Sequence, residues 1–150
     1  MADMHEIEHM VRELHDIEAI KKLKARYWRC LDRKLWTELE NVFTEDVKAD
    51  YGPKCRLEGK KTVLDFLQAS LGPGNVSTSH GGHSPEIEIL GPVTARGIWA
   101  LHNLMVRDPG IKVVEWGHYE DEYVKEAGGW KISSTRIVRI IEEQSSGTRY

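Results

Sequence analysis

The sequence predicts an α+β domain in which three N-terminal helices are packed in a strongly curved, mostly antiparallel sheet. Three observations carry that prediction. Apolar residues recur every three or four positions from Ile7 to Leu31 and again in two shorter stretches, which is the period of a helix face. From Ser77 the period changes to two over four long segments. Those segments are separated only by Gly91-Pro92, Asp108-Pro109-Gly110 and Gly128-Gly129, the short turns of an antiparallel meander. Helices followed by a meander make an α+β domain, and the sheet must curl over the helices to bury their stripes. A sheet curled over a helix leaves a cavity.

In the first helix, Ile7, Met10, Val11, Leu14, Ile17, Ile20, Leu23, Tyr27, Cys30 and Leu31 form one apolar stripe. Glu8, Glu13, Glu18, Lys22 and Lys24 are assigned to the opposite face. Arg33-Lys34 ends this helix. Leu35, Trp36, Leu39, Val42 and Phe43 make a second, short helical stripe, stopped at Thr44-Glu45-Asp46. Val47–Tyr51 alternates as a short strand turned by Gly52-Pro53. After Gly59, Val63, Leu64, Phe66, Leu67 and Leu71 mark a third helix, ended by Gly72-Pro73-Gly74. The four strands are expected over 77–90, 93–107, 111–125 and 130–142, with 145–150 a frayed tail.

A chain of 150 residues reads as one domain, 1–150, with enough chain for a core. A net charge of −3 with no basic run gives no reason to expect nucleic acid or an anionic membrane as partner. Cys30 and Cys55 make no disulfide framework, and no apolar run approaches the roughly 20 residues of a spanning helix. A cytoplasmic protein is the expectation. The outer face of the meander keeps apolar residues, which predicts a homodimer or homotrimer.

Several polar groups interrupt apolar surfaces. Tyr27 sits on the buried helix face, where its hydroxyl either finds a structural partner or meets a ligand carbonyl or hydroxyl. Asp32 closes the first helix at the end where a carboxylate is electrostatically disfavoured, so it needs a partner: Arg26, Arg29 or a histidine. In Ser79-His80-Gly81-Gly82-His83 the two histidines have opposite parity, and periodicity does not decide which ring faces the cavity. His102-Asn103 is a polar pair inside an apolar strand, costly unless both are hydrogen-bonded. His118, among Trp116, Tyr119 and Asp121, is a further candidate for the same cavity. Arg139, between Val138 and Ile140, requires Asp32, a Glu or a substrate anion. Trp28, Trp99, Leu101, Leu104 and Trp116 are expected to form the apolar wall. A tyrosine and aspartate at a helix end with strand histidines suit proton transfer. No Gly-rich phosphate loop, Gly-x-Ser-x-Gly elbow or Cys-x-x-Cys pair is present, which weighs against nucleotide-dependent, serine-hydrolase and zinc chemistry.

The run Asp16–Asp32 with Trp36-Thr37-Glu38-Leu39, Gly59-Lys60-Lys61 through Leu67, Ser79–Ile87, Gly117–Asp121 and Gly129–Ile132 resembles the SnoaL-like family. That family lies in the nuclear transport factor two-like superfamily of cone-shaped α+β barrels. Within it the sequence is similar to bile acid 7α-dehydratases and, more distantly, to scytalone dehydratases. The resemblance implies a lyase with no cofactor and no metal, acting on a hydrophobic polycyclic or aromatic carbonyl-bearing alcohol of steroid-like or polyketide-like kind. It assigns Tyr27, Asp32, Tyr51, His80 and Arg139 to the site, with His80 as base and Tyr27 and Tyr51 stabilising an enolate. One position departs: where the bile acid enzymes carry an aspartate on the next strand, His102 falls here if one residue is skipped. Scytalone dehydratases likewise use two strand histidines. An isomerase or polyketide cyclase is the alternative implied by the same scaffold. So is a non-catalytic ligand-binding protein, or one like the small subunit of ring-hydroxylating dioxygenases.

Overall fold

The structure is a computed structural model that describes residue 1 and residues 3–146. Helix α1 spans Met4–Asp32 and opens on a capping box. The Asp3 carboxylate accepts from the Glu6 N–H at 2.9 Å, and the Glu6 carboxylate accepts from the Asp3 N–H at 2.9 Å. Its apolar stripe divides in two. Ile7, Met10, Val11 and Leu14 remain exposed, whereas Ile20, Leu23, Tyr27, Cys30 and Leu31 are buried. Lys24 is buried with them instead of facing water. It stands four residues after Ile20 and three before Tyr27, so it lies on the same face. At the end of α1, Lys34 takes a left-handed backbone (φ 56°). Its ammonium donates to the carbonyls of Gly72 (3.3 Å), Pro73 (2.9 Å) and Val76 (2.9 Å). This clamp seats the last turn of α1 beside the strand that begins at Val76.

Helix α2 is a single turn, Trp36–Leu39, continued by a 3₁₀ turn over Glu40–Val42. Phe43 begins strand β1, Phe43–Asp50, so Thr44–Asp46 lies inside a strand and is not a stop. The reason is long-range: Phe43 and Lys48–Asp50 pair in parallel with the last strand, a partner invisible in the local pattern. Strand β2, Arg56–Glu58, was not foreseen; three residues are too few to show a period. Helix α3 spans Lys60–Leu71 after Gly59, whose φ of +88° favours glycine. Strands β3 (Val76–Gly91), β4 (Thr94–Arg107), β5 (Ile111–Glu126) and β6 (Gly129–Ser146) follow at the expected turns. Ser145 and Ser146, expected in a frayed tail, pair with Lys112 and Ile111 and extend β6; residues 147–150 lie outside the described residues.

The sheet order is β2-β1-β6-β5-β4-β3. It is antiparallel except for the β1–β6 pair, and therefore mixed, curved and open at both edges. Its concave face closes on α1 and α3, and the core is formed there by α1 residues with Val47, Ala49, Leu101, Tyr119 and Ile132. A Cβ at Gly82 would stand 2.2 Å from the Trp28 ring, so glycine is what lets that indole lie against β3. The convex face leaves Ile98, Trp116, Ile140 and Ile141 exposed. Among the described residues no helix is long and apolar enough to cross a membrane.

Candidate active site

Between α1, α3 and the concave face lies a cavity of about 250 Å³. Leu31, Phe66, Leu67, Leu71, Met105, Val113 and Ile137 supply its apolar wall, with Leu104 at one side and Cys55 by the β1–β2 turn. The polar lining comes from α1 (Tyr27), the end of β1 (Tyr51) and a row across three strands. His80 on β3 is in register with Asn103 on β4, and Asn103 with Glu115 on β5. Neighbouring strands lie ~4.8 Å apart, so these three side chains stand abreast on one line of the concave face.

Asp32 is held by three donors. Its carboxylate accepts from the Thr78 hydroxyl (2.9 Å), the His80 backbone N–H (3.0 Å) and the His80 ring Nδ1 (2.7 Å). These bonds offset its unfavourable place at a helix C-terminus. They also assign the imidazole tautomer. A carboxylate only accepts, so Nδ1 carries a proton, and in the neutral ring the lone pair is on Nε2, on a ring that lines the cavity. The ring is 14% exposed, which keeps it largely shielded from water.

Three phenols line the same cavity as the His80 ring. The Tyr27 and Tyr51 hydroxyls are 3.3 Å apart. The Tyr119 hydroxyl exchanges hydrogen bonds with the Asn103 side-chain amide at 3.0 and 3.2 Å. Burial pushes the phenols of Tyr27, Tyr51 and Tyr119 well above the ordinary tyrosine range, so all three stay protonated donors at neutral pH. Arg139 is matched by carboxylates: its guanidinium reaches Glu115 at 2.5 Å and Glu142 at 3.4 Å, and donates to the Tyr51 carbonyl at 2.6 Å. A Glu, not Asp32 and not a free anion site, is therefore its partner, and its contact with the Tyr51 backbone helps hold that phenol in place.

Of the residues singled out from sequence, Tyr27, Tyr51, His80, Leu104 and Arg139 meet at this cavity, with Asp32 behind His80. His102, Trp116 and His118 do not. On β4 the concave positions are Ala95, Gly97, Trp99, Leu101 and Asn103, so of the polar pair it is Asn103 that enters and His102 that leaves. His102 stacks on Trp116 on the convex face, with centroids 5.2 Å apart and planes at 11°. On β5 the buried positions are Gly117, Tyr119, Asp121 and Tyr123, which sends His118 outward. Trp28 and Trp99 are buried edge-to-face at 5.3 Å in the core beside the cavity and do not line it. The residue in register with His80 on the next strand is Asn103, not His102. Sequence reasoning missed Asn103, Glu115 and Tyr119 as site residues. Parity would have found them, since one known inward residue on each strand assigns all the others. Cys30 is fully buried, and burial raises its thiol pKa. Among the described residues no group of three or more His, Cys, Asp or Glu side chains is placed to hold a metal ion.

A SnoaL-like domain model matches residues 12–136. The chain belongs to the SnoaL-like domain family. Solved structures share this SnoaL-like fold at low identity. A scytalone dehydratase-like protein from Novosphingobium aromaticivorans aligns with a TM-score of 0.80 and 22% identity, over 87% of this chain and 88% of the other. The type 3 hexachlorocyclohexane dehydrochlorinase of Novosphingobium barchaimii aligns with a TM-score of 0.81 and 18% identity, over 93% and 97%. An aromatic ring hydroxylase-like protein from N. aromaticivorans gives 0.80 and 20%, over 89% and 94%. These likenesses are of fold alone.

Proposed function

We propose that this SnoaL-like domain is a cofactor-independent lyase that eliminates water from a small hydrophobic alcohol bearing a carbonyl group. The observation that carries the proposal is the Asp32–His80 pair, which presents Nε2 as a base inside an apolar cavity rich in phenol donors. In this reading Nε2 takes a proton from the carbon next to the carbonyl, and the electron pair moves onto the carbonyl oxygen. Tyr27 and Tyr51 donate to that oxygen as its charge grows. The enolate then expels the β-hydroxyl as the new C=C bond forms. The His80 imidazolium, stabilised by Asp32, returns its proton to the leaving oxygen, so water departs and the base is regenerated. His102 has no part, because it lies on the other face of the sheet. Names among the structural neighbours, a dehydratase and a dehydrochlorinase, agree with an elimination. Ligand pockets usually run from roughly 300 Å³ upward, so a cavity of about 250 Å³ favours an aromatic substrate over a polycyclic one.

The test is a panel of aromatic β-hydroxyketones followed by absorbance of the conjugated enone and by product mass. His80→Ala is expected to abolish turnover, and Tyr27→Phe to lower it by roughly 10²–10³-fold. Full activity in both variants would sink the assignment. A product of unchanged mass would point instead to an isomerase or cyclase using the same base. The apolar groups left exposed on the convex face support a homo-oligomer, dimer or trimer.

A further inference from the structure

Lys24 is an anomaly that the site described above does not use. Its side chain is 0% exposed and its ammonium lies 2.7 Å from an Asp121 oxygen, with that side chain also at 0%. Burying two charges is expensive even when they pair, and an apolar pair of similar volume serves stability as well or better. The surroundings show what this arrangement achieves. The ammonium stands over the ring faces of Tyr119 (3.9 Å to the centroid) and Tyr27 (4.7 Å), both of which line the cavity. Asp121 lies on the far side: it accepts from the Tyr123 hydroxyl at 2.8 Å and from the Thr135 hydroxyl at 2.7 Å, and neither of those residues lines the cavity. The ammonium therefore stands on the ring faces of two cavity-lining phenols, while its carboxylate partner is anchored to residues outside the lining.

We propose that Lys24 and Asp121 are positioning residues that orient and polarise the phenols of Tyr27 and Tyr119, making the cavity a site for an oxyanion. A cation on the face of a phenol ring withdraws electron density and strengthens its O–H as a donor. It also offers a developing negative charge a favourable field in a dry interior, at no reorganisation cost during reaction. The proposal rests on the reading of this cavity as an enolate-stabilising site and adds the source of the field.

The test uses two one-ring ligands of matching shape, 4-nitrophenolate and uncharged 4-nitrotoluene, whose dissociation constants are measured by titration at a pH where the phenol is ionised. The wild-type protein is expected to favour the phenolate. Lys24→Met combined with Asp121→Asn removes both charges together and leaves no unpaired charge in the interior. It is expected to weaken phenolate binding by about tenfold while 4-nitrotoluene binding stays within about twofold. A purely structural role would weaken both ligands alike or neither, and a wild-type preference retained in the double variant overturns the proposal while leaving the elimination reading intact. A wild-type protein without phenolate preference sinks both. Lysine ¹⁵N NMR of the wild-type protein is a second measurement that needs no variant: a charged Lys24 at neutral pH supports the proposal, and a neutral amine there overturns it.

Discussion

Replacing Asp32 by Asn tests the centre of the site without a substrate. The carboxylate accepts from Thr78 at 2.9 Å, from the His80 backbone at 3.0 Å and from the His80 ring at 2.7 Å. An amide has one acceptor oxygen and an N–H₂ that can only donate. One of the three donors must then lose its acceptor. A hydrogen bond to a charged group is worth roughly 1.5–3 kcal/mol, so Asp32→Asn is expected to destabilise the fold by about 2 kcal/mol. At about 4 °C per kcal/mol for a domain of this size, Tm falls by about 8 °C in a thermal melt. The more specific consequence is at the ring. If the amide donates to Nδ1, the imidazole proton moves to Nε2 and the base is lost. Long-range ¹H–¹⁵N correlation spectra of histidine-labelled protein read this directly: Nδ1–H in the wild type, Nε2–H in the variant. Turnover in the elimination assay should drop by about 10²–10⁴-fold in parallel. A variant with the wild-type tautomer and a Tm unchanged within error would refute the reasoning that Asp32 orients His80.

Three other expectations follow from the geometry. Asp16 accepts from the Lys125 ammonium at 2.8 Å and the Trp130 indole N–H at 2.9 Å. Burial works against its ionisation, but these two partners win and hold its carboxyl below the ordinary range. A depressed pKa contributes stability that is present at neutral pH and lost as pH falls through the folded-state value. The Tm gap between wild type and Asp16→Asn should thus be constant near neutrality and close under acid, and a gap that widens in acid would reverse the sign. Gly82→Ala places a methyl 2.2 Å from Trp28 and should destabilise by about 1–3 kcal/mol with a shift in tryptophan emission; a neutral result would show that Trp28 has room to move. His102→Ala should change Tm by no more than about 2 °C, a surface-sized effect of ~0.5 kcal/mol. Asn103→Leu should instead lower both stability and 4-nitrophenolate binding, because it strips Tyr119 of its partner; equal effects from the two would contradict the assigned faces.

The fold was legible because its signals are periodic and local. The stripe from Ile20 to Leu31, the change of period near Ser77 and three Gly/Pro turns name helices and strands without reference to distant residues. Tyr27 and Asp32 were legible as polar intrusions on a helix end, and the family resemblance pointed to His80. Local signals failed where a distant partner decides. Thr44–Asp46 became strand because β6 lies alongside, β2 was too short to show a period, and Lys24 was assigned to water although its spacing from Ile20 and Tyr27 put it on the buried face.

What the sequence alone determined is thus the three helices and the four long strands, the family and the residue types available for proton transfer. Tertiary structure decided which of them meet. Adjacent strand residues point to opposite faces, so His102 and Asn103, indistinguishable as a polar pair in the chain, are separated by the whole thickness of the sheet. The same constraint sends Tyr119 inward and His118 outward, and sets Asn103 and Glu115 beside His80. The partner of Asp32 was decided in the same way. Lys34, by clamping the end of α1 to the start of β3, brings the Asp32 carboxylate to the His80 ring across 48 residues of chain.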